Sequence, residues 1–440
     1  MNKRHFLSDF CELRHYLLLL LTQTVSQLGS AMTSFALVIW LYQQTGSALS
    51  MALLTVCSYA PYVALSMLGG ALCDKWNKRD VMLVCDALSA LCTVCVLLLL
   101  KAGRLEHWHL YVINACSGLM NTVQQPASEV AVTLLLPRRH YQRMSALRSM
   151  TGSLVGLLTP VLAVAVLTLA GMEAVILIDL ASFLAAFAAL LLFIRVPDAP
   201  RRETGSLRDS VRSGLRFLRA HDGVRWIILY LAAINFIASM YDAALPALVL
   251  SRPYGGETAL GLVNTFVSLG TLAGGLVTMA LRAPRDRVRM VHLTLLVSMC
   301  TENFMLALGR APWIWCAGAF LGWVSIPLMN ANLDVIMRSS VPTDMQGRVY
   351  ACRNSLQFFS IPLGNLLGGA LVDGVFEPLM ARQGAQSLLV RVFGAGKGSG
   401  AALLFLLIGV SGVAVCLLFG RVRALRALGA QVALAERAGG

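Results

Sequence analysis

Four carboxylates stand inside long apolar runs: Asp86, Asp179, Asp242 and Glu302. A charge in hydrocarbon is costly, so such residues face a protein interior or a cavity. Desolvation favours the neutral form of a carboxyl, so a group in that setting can take up and release a proton, or hold a cationic ligand. Uncharged polar side chains occur in the same kind of run: Gln23 and Gln27, then Asn121, Gln124 and Gln125, then Asn235, then Asn330 and Asn332. Amides of this kind orient a ligand in an otherwise apolar pocket, and they also tie helix to helix. A second set of charges lies at the ends of the runs. Asp74, Lys75, Lys78 and Arg79 form one group, Glu129, Arg143 and Arg148 a second, and Asp334, Arg348 and Arg353 a third. An acid at the end of one helix and an arginine at the start of the next can pair across helices, and Asp74 could also sit at a helix N-terminus, where negative charge is favoured.

Covalent catalysis finds no support in these residues. The seven histidines lie near run ends or in loops, and no GxxxxGK[ST] phosphate loop occurs, so ATP is not used within this chain. The 11 cysteines are irregularly spaced within apolar runs and read as free thiols packing like small apolar residues. Cys92 and Cys95 make a CxxC with no second pair or histidine beside it, so neither a metal nor a redox cofactor is expected.

The elements that must position these groups follow from composition. Hydrophobic residues make up 57% of the 440-residue chain and charged residues 13%. A soluble domain carries roughly a quarter charged residues, so much of this surface must face lipid. A net charge of +14 raises the question of nucleic acid. The positive residues sit in short loops between apolar runs, which makes anionic membrane lipid the fitting partner instead. At 1.5 Å per residue about 20 apolar residues cross the bilayer core, and only helices pair all their backbone groups there. Twelve such runs appear: 16–40, 49–72, 81–100, 109–134, 147–170, 174–194, 225–250, 259–281, 290–309, 313–336, 350–372 and 400–420. The first is too long for a cleaved signal and is read as a span. With the N-terminus in the cytosol, 29 of the 36 lysines and arginines fall on the cytosolic side and 7 on the other, a bias that puts both termini inside.

The segment from Arg195 to Arg225 divides six spans from six. Leu207, Val211, Leu215 and Leu218 share a helical face beside Arg208, Arg212, Arg216 and Arg219, which reads as an amphipathic helix on the cytosolic membrane surface. The halves match at an offset of 205 residues without a gap. Gly69-Gly70 pairs with Gly274-Gly275, Glu129 with Asp334, Pro137 with Pro342, Arg143 with Arg348, Ala146 with Ala351 and Arg148 with Arg353. Six spans repeated once mark two bundles with a pathway between them, the organisation of a transporter. The expected fold is thus all-α, with 12 transmembrane helices in two pseudo-repeated six-helix bundles, divided as 1–194, a linker 195–224, and 225–440.

Between spans two and three the chain reads Gly70-Ala71-Leu72-Cys73-Asp74-Lys75-Trp76-Asn77-Lys78-Arg79. This resembles the G-x-L-x-D-R-x-G-R-R/K loop motif of the major facilitator superfamily, with Asn77 where glycine is usual and Met279 where the second-half copy would carry its acid. Val341-Pro342, Gln346-Gly347-Arg348-Val349, Ile361-Pro362-Leu363-Gly364 and Gly368-Gly369 with Asp373 resemble the macrolide-efflux-type multidrug exporters within it.

The resemblance implies alternating access and proton-driven efflux of a bulky amphiphile from a multi-pass protein of the plasma membrane, acting as a monomer. It also implies that spans 1, 4, 7 and 10 line a cavity while 3, 6, 9 and 12 support them. Asp242, beside Tyr241 and ahead of Pro246 on span seven, is then the first choice for proton coupling or for a cationic substrate. Glu302, Asp179 and Asp86, on outer spans, are expected to be structural pairs or interfacial acids. The loop acids Asp74, Glu129 and Asp334 are expected to close the cytosolic side against the neighbouring arginines in one state and release them in the other. Two other readings remain: a permease or exporter for another small solute such as a siderophore, and a transport-inactive membrane scaffold or sensor.

Overall fold

The computed structural model describes residues 3–75, 77–135, 141–194, 207–282 and 284–439. Among them the regular structure is helical throughout. The helices are α1 Lys3–Thr45, α2 Ala48–Lys75, α3 Lys78–Lys101, α4 His107–Leu135, α5 Tyr141–Leu192, α6 Leu207–Ala220, α7 Asp222–Ser251, α8 Glu257–Ala280, α9 Arg287–Leu308, α10 Pro312–Trp323, α11 Ile326–Ser340 and α12 Thr343–Leu371. A π-helical turn, Val372–Phe376, leads into α13 Glu377–Ala381, followed by α14 Leu388–Phe393, α15 Ser399–Gly420 and α16 Arg423–Gly439.

Nine stretches of the described residues are long and apolar enough to cross a membrane. One of them, Leu147–Leu192, serves twice. Gly171, at φ 79° and ψ 178°, turns the chain between residues 170 and 174, a conformation open to glycine for want of a Cβ. Helices α2 and α4 add two passes with 28 and 29 residues, about 40 Å each at the helical rise. The twelve passes expected from hydropathy are therefore present. Span ten is built from α10 and α11, broken at Val324 and Ser325 ahead of Pro327. Span eleven runs out into the π-helical turn.

The chain packs as two units. One comprises residues 1–40 and 57–204, the other 41–56 and 205–440. The first has small apolar centres, one made by Leu19, Val81, Met82, Ala127, Ala131 and Leu190 and one by Met32, Ala36, Ala163 and Val175. The second has a larger centre, with Ile227, Tyr230, Ile234, Leu295, Met299, Leu333, Ile336 and Cys416. Large apolar side chains point outward from both, such as Leu169 at 87% and Met279 at 85% exposure, as lipid-facing residues do.

Lipid tails are as apolar as leucine, so helices here are held by close packing rather than by escape from water. Glycines supply that contact. A Cβ on Gly368 of α12 would lie 2.9 Å from Met240 Cβ of α7, and one on Gly412 of α15 would lie 2.7 Å from Met299 Sδ of α9. The amphipathic α6 forms where its pattern places it. Its Phe217 and Leu218 join the apolar centre of the second unit, so protein rather than lipid headgroup receives those two side chains.

The segment 41–56, which carries the turn between α1 and α2, is fastened inside the second unit. Asp373 in the π-helical turn accepts from Ser47 Oγ at 2.6 Å, from the Leu49 amide at 2.8 Å and from the Ala48 amide at 3.1 Å. It therefore caps the free N–H groups that open α2. Tyr42 donates to the Ala247 carbonyl at 3.2 Å and meets Ser251 Oγ at 2.5 Å, while Gln43 Nε2 donates to Glu257 at 2.5 Å. Glu377 does the same for α15, accepting from the amides of Gly398 at 2.8 Å and Gly400 at 3.1 Å.

Candidate functional site

The first unit contains a cavity of about 620 Å³ lined by α1, α3, α4 and both halves of α5. Five of the amides named from the sequence converge on it: Gln23, Gln27, Asn121, Gln124 and Gln125. Arg148 lines it too. So do Asp86 and Asp179, the acids expected to be structural on the outer spans. Gln124 Nε2 donates to Asp86, and Gln23 lies against the same carboxyl while its own buried Nε2 has no partner of hydrogen-bonding geometry. Asp179 accepts from Ser30 Oγ at 2.9 Å. The sequence did carry a signal for Asp86. Met82, Asp86, Ser89, Thr93 and Val96 recur at spacings of four and three, one helical stripe, and all five line the cavity. Val84, Leu88, Leu91 and Leu98, between them, are exposed.

The second unit brings three sequence candidates together. Glu302 of α9 is only 5% exposed, and its Oε1 accepts from Trp323 Nε1 at 2.8 Å. The Tyr241 hydroxyl and the Asp242 carboxyl of α7 are within electrostatic reach of it. The Tyr241 hydroxyl is buried without a partner of hydrogen-bonding geometry, although the Glu302 carboxyl is beside it. Phe405 of α15 meets the Tyr241 ring edge to face at 5.6 Å. Asp242 is accessible to water yet surrounded by protein, the setting of a group in a recess, and the Asn365 side chain is its partner.

The remaining amides do not join either group. Asn332 is buried, donates to the Leu328 carbonyl at 2.8 Å and accepts from Arg287 at 3.1 Å, so it braces α11 against the start of α9. Asn330 is exposed and Asn235 half-buried on α7.

Of the charges at helix ends, Gly70, Asp74, Lys75, Glu129, Arg143 and Arg348 have side-chain positions outside the described residues. Asp334 is exposed and Lys78 buried. Arg353 lies over the Tyr350 ring, 5.4 Å from its centroid. Arg79 has a different task from the one its motif suggested. Its Nε donates to the Leu190 carbonyl at 3.2 Å and its second nitrogen to the Leu191 carbonyl. These are last-turn carbonyls of α5, which have no partner within the helix, and a cation suits that end of the dipole. The Asn77 that replaces the usual glycine is the N-cap of α3, accepting from the Arg79 amide at 2.9 Å. Arg79→Gln should therefore loosen the end of α5 by about 1 kcal/mol, read as a lower Tm in detergent. An unchanged Tm would mean these bonds add nothing.

Among the described residues no group of three His, Cys, Asp or Glu is placed to hold a metal ion. What the two clusters offer is reversible protonation and hydrogen bonding to a guest.

The sequence profile of the Major Facilitator Superfamily matches residues 19–365. The multidrug efflux pump Tap of Mycolicibacterium fortuitum is 25% identical over 374 residues, covering 81% of this chain and 89% of that protein. Macrolide efflux protein A of Streptococcus pyogenes is 19% identical over 360 residues, covering 80% and 88%. Among solved structures, the nucleoside transporter NupG superposes with a TM-score of 0.67 at 11% identity, over 92% of this chain and 98% of that one.

Proposed function

The chain belongs to the Major Facilitator Superfamily, and on that premise we propose that it is a secondary-active exporter of bulky amphiphilic compounds, working by alternating access and driven by protons. It is a multi-pass membrane transporter and not an enzyme; its relatives are bacterial, where such a protein resides in the plasma membrane. The finer reading is supported above all by the Asp242 carboxyl, which is accessible yet enclosed on span seven and has an amide as its partner. A carboxyl so placed can exchange a proton as its surroundings change, and a cavity lined by amides, hydroxyls and two carboxyls beside apolar side chains suits a large guest of mixed polarity. The two efflux relatives support the direction.

The test is accumulation of ethidium and of a macrolide in cells that express the chain. Expressing cells should hold several-fold less of at least one compound than empty cells, and a protonophore should remove the difference. Equal accumulation with and without expression, across a broad panel, would reject the export reading. A difference that survives the protonophore would reject proton drive alone.

A further inference from the structure

Span ten is interrupted where α10 ends at Trp323 and α11 begins at Ile326. Contacts from that break reach α8 and α9. A Cβ on Gly270 of α8 would lie 2.6 Å from the Phe320 carbonyl, and one on Gly274 would lie 2.9 Å from the Val324 carbonyl carbon. Ser325 Oγ donates to the Thr294 carbonyl of α9 at 3.1 Å and to the Gly322 carbonyl at 3.0 Å. Trp323, the last residue of α10, donates its indole N–H to Glu302. Gly322 is what lets the helix come so close: a Cβ there would lie 2.6 Å from Glu302 Cβ and 2.7 Å from its Oε2. Val324 and Ser325 keep helical φ and ψ, so the break is an interruption of the hydrogen-bond ladder ahead of Pro327, and a buried carboxyl holds its upstream side through one hydrogen bond.

The same carboxyl faces α7. Tyr241 and Asp242 are the titratable groups that α7 turns toward it, and Cys316 of α10 stands beside Tyr241. From α15 the nearest group is Phe405, which touches the Tyr241 ring. Among the described residues no cation is among these neighbours, so a charge on Asp242 disfavours one on the buried Glu302. One proton between the two is the arrangement that avoids this.

We propose that Glu302 and Asp242 form a two-carboxyl proton site, and that Trp323 reads its charge state at the break in span ten. When Glu302 is charged, the indole bond is charge-assisted and the lip of α10 is held. When a proton settles on Glu302, the carboxylate becomes a neutral acid, the bond weakens, and the break is free to bend. The proposal rests on proton-driven transport for its consequence, while the geometry of the site stands apart from it.

The experiment uses the full-length chain in proteoliposomes with ethidium as the probe, in two modes. Uphill accumulation requires proton coupling, and exchange of labelled for unlabelled ethidium at equilibrium does not. Glu302→Gln should lower uphill accumulation roughly tenfold or more, and leave exchange within about twofold of wild type. Wild-type accumulation in E302Q would overturn the proposal, as would equal loss of both modes, which is the mark of a merely structural residue.

Trp323→Phe keeps the acid and removes the donor to its charged form. Transport should persist, with its pH midpoint moved upward by about one unit; an unmoved midpoint counts against the role of Trp323. A second readout needs no transport. The Trp323 contribution to fluorescence, taken as wild type minus W323F, should change with pH in the native chain and stay constant when E302Q is the background. If wild type fails to move ethidium in either mode, the export reading for that probe fails, and the fluorescence comparison still decides the proton site: a pH response that persists with E302Q overturns it.

Discussion

Replacing Asp242 with asparagine should abolish gradient-driven export and leave the fold in place. Asparagine keeps the volume of the side chain and can still meet Asn365, the partner of Asp242 on α12. It cannot take up a proton. The variant should bring ethidium only to equilibrium across a vesicle membrane, whatever the pH gradient, while exchange continues. Helical content and Tm should match wild type, because an accessible group leaves no buried charge stranded when it is neutralised. Intact uphill export by D242N would remove Asp242 from the coupling mechanism and leave Glu302 to act alone. The double variant with E302Q should lose no more than either single one, since groups that share one proton act as a unit.

Asp373→Ala should release the turn between α1 and α2. The substitution removes the acceptor for three donors, two of them amides that open a helix. Charge-assisted bonds at a helix N-terminus, in a partly buried site, are worth about 1–3 kcal/mol together after exchange with water is counted. Hydrogen exchange at Ala48 and Leu49 should accelerate roughly ten- to hundredfold, while amides in the middle of α7 keep their protection. Unchanged exchange at both positions would show that Tyr42 and Gln43 hold the segment by themselves. Asp373→Asn is the milder control. It retains an oxygen for one of the amides and should fall between the two.

The order of the spans is legible in the sequence because hydropathy and charge are local properties. Twelve apolar runs with arginine-rich ends require no knowledge of what packs on what. The gap between runs 147–170 and 174–194 marks even the tight turn that Gly171 makes between spans five and six. It is the family resemblance, not polarity alone, that assigns the amides of α1 and α4 to a cavity, since amides on a span can equally tie helix to helix. Pairings between helices are not legible in this way. Gln124 finds Asp86 across 38 positions, and Trp323 finds Glu302 across 21 with a chain reversal between them. Only packing decides such partners. Arg79 shows how a motif misleads in the same respect. Its charge pattern survives a change of partner, and the carbonyls it caps belong to a helix more than 100 residues away. Asp373 was visible as a motif residue, but its work as a cap requires the start of α2 to be delivered to it.

Residues 41–56 lie within the packing of the second unit although they precede the first unit's remaining helices in the chain. This sets a rule for fragment design. Cutting the polypeptide at the linker near residue 205, the place that span counting recommends, does not separate it along its own seams. A fragment that starts there would carry Asp373 with none of its three donors, Ser251 and the Ala247 carbonyl without the Tyr42 hydroxyl, and Glu257 without Gln43. The other fragment would carry those donors with nothing to receive them. Each piece is the other's missing part. Co-expression of the two, or a synthetic peptide spanning residues 41–56 supplied in trans, is what a split version of this protein would need in order to assemble.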